Sequence, residues 1–207
     1  MELNEISSKA MGGTELMLHG LYKHVPGDLL EHFQIIPSRV RDIDTSKIKV
    51  LWLHDLPNDP ESEHLKNGGY NLFDKLVFVS NWQMQAYISH YGIPWHKCVV
   101  IHNAIEPVEV DWTKKYNDKI KLIYHTTPHR GLNILVGVFD KLSQEYNNIE
   151  LDVYSSFKIY GWEEHDEQYK EVFDFCKQHP KINYMGTVSN AEVKQALANA
   201  DIFAYPS

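Results

Sequence analysis

Four clusters have residue types and spacing suited to chemistry, and each lies beside the end of a β-rich run or the start of a helix. The first is Met11–Gly12–Gly13–Thr14–Glu15. Paired glycines let backbone approach a ligand, and the free N–H groups of a helix's first turn can hold phosphate. A plain Gly-Gly turn would look the same. The segment lacks the full dinucleotide fingerprint and the P-loop lysine, which counts against a nicotinamide enzyme or an ATPase. The second is Leu51–Asp55, where His54 follows a buried strand at its carboxyl end. A histidine there suits hydrogen-bond donation or acid–base work, with a purely structural histidine as the alternative. The third is Tyr124–Leu132, a strand end, a short polar turn and a helix start. Arg130 before that helix opposes the helix dipole, unless an anion sits there and reverses the sign. Thr126 and Thr127 add hydroxyl donors and Gly131 closes the turn, so a diphosphate fits; an arginine simply solvated is the alternative. The fourth is Val100–Glu106. Its Asn103 and Glu106, with Asp55 of the second cluster, are read as cleft or hinge residues.

These clusters need a scaffold of alternating strands and helices. Strand-like runs fall at Gln34–Pro37, Ile48–Leu53, Leu76–Ser80, Cys98–Ile101, Ile120–Tyr124, Ile149–Tyr154, Ile182–Met185 and Ile202–Tyr205. Most are apolar nearly throughout, as in strands covered on both faces. Between them apolar residues recur at helical spacing: Leu18, Leu21, Tyr22 and Val25; Leu132, Leu135, Val136 and Phe139; Tyr169, Val172, Phe173 and Cys176; Val193, Ala196, Leu197 and Ala200. Ser80 with Gln83, and Ser189 with Glu192, have capping-box spacing. Gly92 and Pro94 mark the end of the helix that Ser80 starts. The pattern reads as α/β with parallel sheets.

A polar, aperiodic stretch over Glu106–Asp118 suggests a seam, giving domains 1–112 and 113–207. Both ends read as cut. The run Met1–Ala10 is too polar for a confident first strand, and Ala204–Ser207 stops at the carboxyl end of a strand, where open α/β sheets bind ligands. The segments Asn58–Glu63 and Trp162–Glu167 read as a loop and a solvated acidic helix start.

The 207 residues carry a net charge of −8, which argues against a nucleic-acid-binding surface. No apolar run approaches the ~18 residues of a membrane span. Cys98 and Cys176 fit no metal or redox spacing, and a reducing, cytoplasmic setting is expected. There are twelve histidines. His125 and His129 straddle a turn containing Pro128, so helical metal-ligand spacing does not apply, and no metal site is expected.

In their order along the chain, GGTEL at Gly12–Leu16, LWLHD at Leu51–Asp55, VFVSNWQ at Val77–Gln83, YGIPWHKCVVIHNAIEP at Tyr91–Pro107, TTPHRGLNIL at Thr126–Leu135 and the run Ile182–Ser207 resemble the group 1 (family 4) glycosyltransferases of the GT-B class. The resemblance implies two Rossmann-like domains, an acceptor-side one and a donor-side one whose second part is incomplete. It implies transfer of a sugar from a UDP-, GDP- or ADP-sugar to an unidentified acceptor, with retention of configuration, no catalytic metal and no separate cofactor. Carried over, Gly12 and Gly13 lie near the donor phosphates, His54 near the transferred sugar, and Arg130 on the leaving diphosphate.

Three features depart from the family pattern. The second basic residue expected before Arg130 is missing or replaced by His125. Ala104 replaces the glycine of the Asn-Gly motif. The pair of glutamates expected beyond Ser207 does not occur in the chain. The expectation is therefore a transferase fragment or degenerate relative with little activity, able to self-associate through its incomplete domain. A non-catalytic GT-B-shaped binding or assembly module is the alternative, followed by a GT-B-type epimerase or phosphorylase.

Overall fold

A computed structural model describes residues 12–110, 113 and 119–206. The expected weak first strand over Met1–Ala10, most of the second half of the expected seam, and Ser207 lie outside the described residues. The chain divides into two compact units, Met1–Ile105 and Glu106–Ser207. The sequence-based division at 112/113 falls seven residues later, so Glu106 belongs to the second unit.

Among the described residues, unit 1 begins with helix α1 (Gly13–His24) and a single turn, α2 (Gly27–Leu30). Strands β1 (Phe33–Pro37), β2 (Ile48–Leu53), β3 (Lys75–Phe78) and β4 (Cys98–Val100) follow, with helix α3 (Asn81–Tyr91) between the last two. The strands are all parallel, in the order β1-β2-β3-β4. Alternation along β2 divides its side chains. Leu51 and Leu53 join Ile36, Leu76, Phe78, Met84 and Tyr87 in one core, while Val50 and Trp52 face the other way. The stretch expected to be a loop at Asn58–Glu63 instead enters the first of two 3₁₀ pieces within Pro60–Leu72, which a non-helical kink at Lys66, Asn67 and Gly68 separates. The reason is local: Asp59 accepts the Glu61 N–H at 2.9 Å, and Pro60 presets the first helical φ.

One of the two expected capping boxes is not reciprocal. Ser80 Oγ accepts the Gln83 N–H at 3.1 Å. The Gln83 side chain, however, is buried and turns into the sheet, where three backbone groups compete for it.

Unit 2 runs β5 (Ile120–Tyr124), α4 (Leu132–Glu145), β6 (Ile149–Val153), α5 (Lys170–Gln178), β7 (Ile182–Tyr184), α6 (Asn190–Asn199) and β8 (Ile202–Phe203). The strands are parallel in the order β7-β6-β5-β8. Leu132, Val136 and Phe139 of α4 and Phe173 and Cys176 of α5 pack on Tyr124, Leu151 and Val153. The chain steps outward from β5 to β7, then returns to lay β8 on the other side of β5. Right-handed crossovers put a returning helix, here α6, on the opposite face. The strand order thus reverses between β5 and β8, a topological switch point. At α6 the second capping box is complete: Ser189 Oγ accepts the Glu192 N–H at 3.3 Å, and Glu192 Oε2 accepts the Ser189 N–H at 2.8 Å. The acidic stretch Trp162–Glu167 forms a 3₁₀ segment (Glu163–Tyr169) running into α5. Its Asp166 is half-buried rather than fully solvated; it accepts from the Ser156 hydroxyl and from the Phe157 N–H.

Candidate functional site

Each unit gathers polar groups at the carboxyl ends of its strands. In unit 1 the exits of β1 and β2 meet through Ser38 and His54. Ser38 donates its N–H to Trp52 O at 2.8 Å, and its Oγ accepts the His54 N–H at 3.0 Å. Ser38 takes φ +56, a left-handed conformation uncommon outside glycine and asparagine. Gln83 fixes the next stretch. It accepts the Val79 N–H at 2.8 Å and donates to Leu53 O at 3.2 Å and Asp55 O at 2.8 Å. Tyr87 adds a second donor to Asp55 O at 3.2 Å. A backbone leaving a strand loses its ladder partners, and one buried glutamine supplies three of them.

This framework holds the His54 ring half-buried, 4.7 Å from the Trp52 ring. His54 Nε2 and Trp52 Nε1 are both buried and make no hydrogen bond within the described structure. Burial pushes the His54 pKa down, against the opposing pull of the Asp55 and Glu15 carboxylates. The imidazole is therefore neutral at pH 7 and able to donate or accept at Nε2. Gly12, buried and extended (φ −73, ψ 178), precedes the first turn of α1, and no side chain caps it. Gly13 is exposed, and a Cβ there would meet nothing within 4 Å.

In unit 2 the residues singled out from sequence surround the loop from β5 to α4. Thr127 is buried and its carbonyl anchors the loop, accepting from Tyr124 Oη at 2.8 Å and from the Arg130 N–H at 3.1 Å. Tyr124, buried among apolar neighbours, has its phenol pKa pushed up, so it remains a donor. Thr126 is half-buried and Arg130 exposed. Gly131 caps α4 with φ +85 and lies against Pro206, on the loop leaving β8. The two loops that flank the switch point thus touch, with Arg130 and the first turn of α4 beside the contact. The chemistry this offers is anion binding: a guanidinium, hydroxyls and a helix start that no side chain caps, although its Leu132 N–H already donates to Pro128 O at 3.1 Å.

The fourth cluster is not brought to either site as a unit. Asn103 is exposed on the irregular segment that follows β4. Glu106 pairs with Lys194 of α6 at 3.1 Å. His102 Nδ1 lies 2.9 Å from Val79 O, and Asp55 takes part through its carbonyl. Sequence reasoning missed Ser38; it placed Trp52 in the second cluster and Pro206 at a ligand-binding strand end, but gave neither a role of its own. Gln83 carried a signal, the capping-box spacing, and that signal suggested a different partner.

No protein-family model matches the chain, and a search of characterised protein sequences finds no match. Solved structures do match in fold. A glycosyltransferase from Rickettsia africae is 18% identical, with a TM-score of 0.60 over 94% of this chain and 55% of that one. HepE from Anabaena, in complex with UDP-glucose, is 16% identical, with a TM-score of 0.55 over 77% of this chain and 46% of that one. A variant of S. aureus TarM, in complex with fondaparinux, alpha-GlcNAc-glycerol and UDP, is 13% identical, with a TM-score of 0.53 over 77% of this chain and 32% of that one. The chain spans 32–55% of the length of these three structures. The likeness establishes the fold, two parallel α/β sheets as in GT-B glycosyltransferases. No helix among the described residues is long and apolar enough to cross a membrane.

Proposed function

We propose that the chain is part of a nucleotide-sugar-dependent glycosyltransferase of the group 1 (family 4) type, with unit 2 on the donor side and unit 1 on the acceptor side. The observation that carries this reading is the contact of Gly131 with Pro206 at the β5/β8 switch point, beside Arg130 and the start of α4. Doubly wound sheets bind nucleotides at that kind of place. Two of the three structures matched in fold are complexes with UDP-glucose or UDP, which supports a nucleoside diphosphate as the ligand class.

In this reading Arg130 neutralises the departing diphosphate, with the Thr126 and Thr127 hydroxyls as further donors and Gly131 letting the backbone approach at the start of α4. Fixed donors aimed at charge that grows in the transition state are often the largest catalytic contribution. His54, neutral because buried, serves the transferred sugar as a hydrogen-bonding group. Gly12 and Gly13 leave the first turn of α1 open to phosphate. Retention of configuration and a metal-free and cofactor-free reaction come from the family resemblance, and a cytoplasmic setting from the cysteine usage. The acceptor is left unassigned.

The test is calorimetric titration of the chain with UDP, GDP and ADP, repeated on Arg130→Ala. The reading expects one diphosphate to be preferred and its affinity to fall at least about tenfold in the variant, the scale of one charge-assisted contact. Binding that Arg130→Ala leaves unchanged removes the donor-site assignment.

A further inference from the structure

Beyond the donor site, the excursion between β6 and α5 forms a line of aromatic rings that the sheet core does not require. It begins beside Arg130, where His129 stacks on Phe157 with centroids 5.4 Å apart and planes 14° apart. Phe157 contacts His165 at 5.6 Å, His165 contacts Trp162 at 5.8 Å, and Trp162 contacts Tyr160 at 5.4 Å. The inner end is buried, Phe157 being 8% exposed, while Trp162 and Tyr160 are 46% and 37% exposed. The excursion is braced. Asp166 accepts from Ser156 and Phe157, the Trp162 N–H donates to Phe157 O at 3.3 Å, and Gly161 turns the chain at φ +75. Two large aromatic side chains are thus held at the surface at little further entropic cost.

Charge narrows what such a surface can take. Residues 158–171 carry five carboxylates (Glu163, Glu164, Asp166, Glu167, Glu171) against two ammonium groups (Lys158, Lys170). That field opposes phosphate, sulfate or uronate. A pyranose is neutral, has an apolar C–H face that lies on an aromatic ring, and carries hydroxyls that donate to carboxylates.

We propose that Trp162 and Tyr160, with the exposed carboxylates around them, bind a neutral glycan. The site is separate from the diphosphate site and does not depend on the donor reading. The experiment titrates the full chain with maltoheptaose, cellopentaose and chitopentaose at millimolar concentrations. Binding is followed by the NMR signal of the Trp162 indole N–H, assigned through Trp162→Phe. The expected result is a saturable shift of that signal with at least one oligosaccharide. The variants, two of which lack that indole, are compared with the unaltered chain by calorimetric titration: affinity should fall about tenfold in Trp162→Ala and several-fold in Tyr160→Ala, the order of an aromatic contact's worth. UDP binding should be unchanged in both variants. Circular dichroism checks their folding, and Trp162→Phe, which keeps a ring, should retain most of the affinity. Three results overturn the proposal: no shift with any of the oligosaccharides, a shift elicited only by an anionic glycan such as oligogalacturonate, or a shift elicited only by a quaternary ammonium such as tetramethylammonium.

Discussion

A Cβ built on Gly131 would lie 3.0 Å from Pro206 Cγ and 3.2 Å from the Pro206 carbonyl oxygen. The residue also holds φ +85, where an L side chain is strained. Two independent constraints therefore require glycine, one from its own backbone and one from a loop seventy-five positions away. Gly131→Ala is expected to destabilise unit 2 by about 2 kcal/mol, combining left-handed strain with displacement of the Pro206 loop. Chemical denaturation measures it. A change within a few tenths of a kcal/mol would mean the two loops are not pressed together as described.

Gln83 gives a second prediction. In Gln83→Leu the Val79 N–H and Leu53 O lose their side-chain partner, and Asp55 O keeps only Tyr87. Leaving buried groups unpaired costs roughly 1–3 kcal/mol each, so a total loss near 3 kcal/mol is expected. Ser80→Ala, which removes only the cap, should cost about 1 kcal/mol. Equal losses in the two variants would show that Gln83 acts as a helix-capping residue alone.

A third prediction concerns pH. The pKa of His54 is lowered from its ordinary 6.5 in the folded chain, chiefly by burial, and those of His125 and His129 are lowered in the same way. Between the folded and unfolded values the unfolded chain binds more protons, so stability rises with pH there. The contribution is complete above about pH 6.5 and declines on acidification until the folded values are passed. Melting temperature followed from pH 7.5 down to pH 5 should fall, and His54→Gln should flatten part of that slope. A slope unchanged by His54→Gln would contradict the buried, neutral imidazole.

The strands and the helix faces were legible in the sequence because apolar runs and 3.6-residue spacing are local signals. All eight strand runs have strands in the structure, although β8 keeps only Ile202 and Phe203 of its run. The Arg130 cluster was legible for the same reason, since a strand end, a polar turn and a helix start are adjacent in sequence. What sets its geometry was not: Pro206 reaches Gly131 only because β8 returns to β5. Ser38 was equally hidden, because nothing local marks it for φ +56, and Trp52, although inside the second cluster, looked like core because it lies on a half-buried strand. At Gln83 the local rule named the right residue and the wrong partners, because buried strand-end carbonyls competed with the helix cap. Asp59 beside Pro60 carried a helix-start signal that the surrounding polar residues masked.

The α6 capping box supplies a fourth prediction. Ser189 and Glu192 satisfy one another's orphan N–H groups, and α6 carries the chain to β8. Ser189→Ala should lower stability by about 1 kcal/mol. Hydrogen exchange should also quicken at Asp201 and Ala204, whose N–H groups donate to Lys121 O and Ile123 O across the β5/β8 pair. Exchange unchanged at these amides would mean that β8 is held independently of α6.

The central claim is where a nucleoside diphosphate lands, and amide chemical-shift mapping with UDP, GDP and ADP tests it most directly. The account predicts that the preferred diphosphate perturbs, within unit 2, a set of amides concentrated over Thr126–Leu135 and at Tyr205. It also predicts that Arg130→Ala abolishes those shifts at the same ligand concentration while the remainder of the spectrum keeps its folded dispersion. Perturbations centred elsewhere, or shifts at Thr126–Leu135 that survive Arg130→Ala, would contradict it.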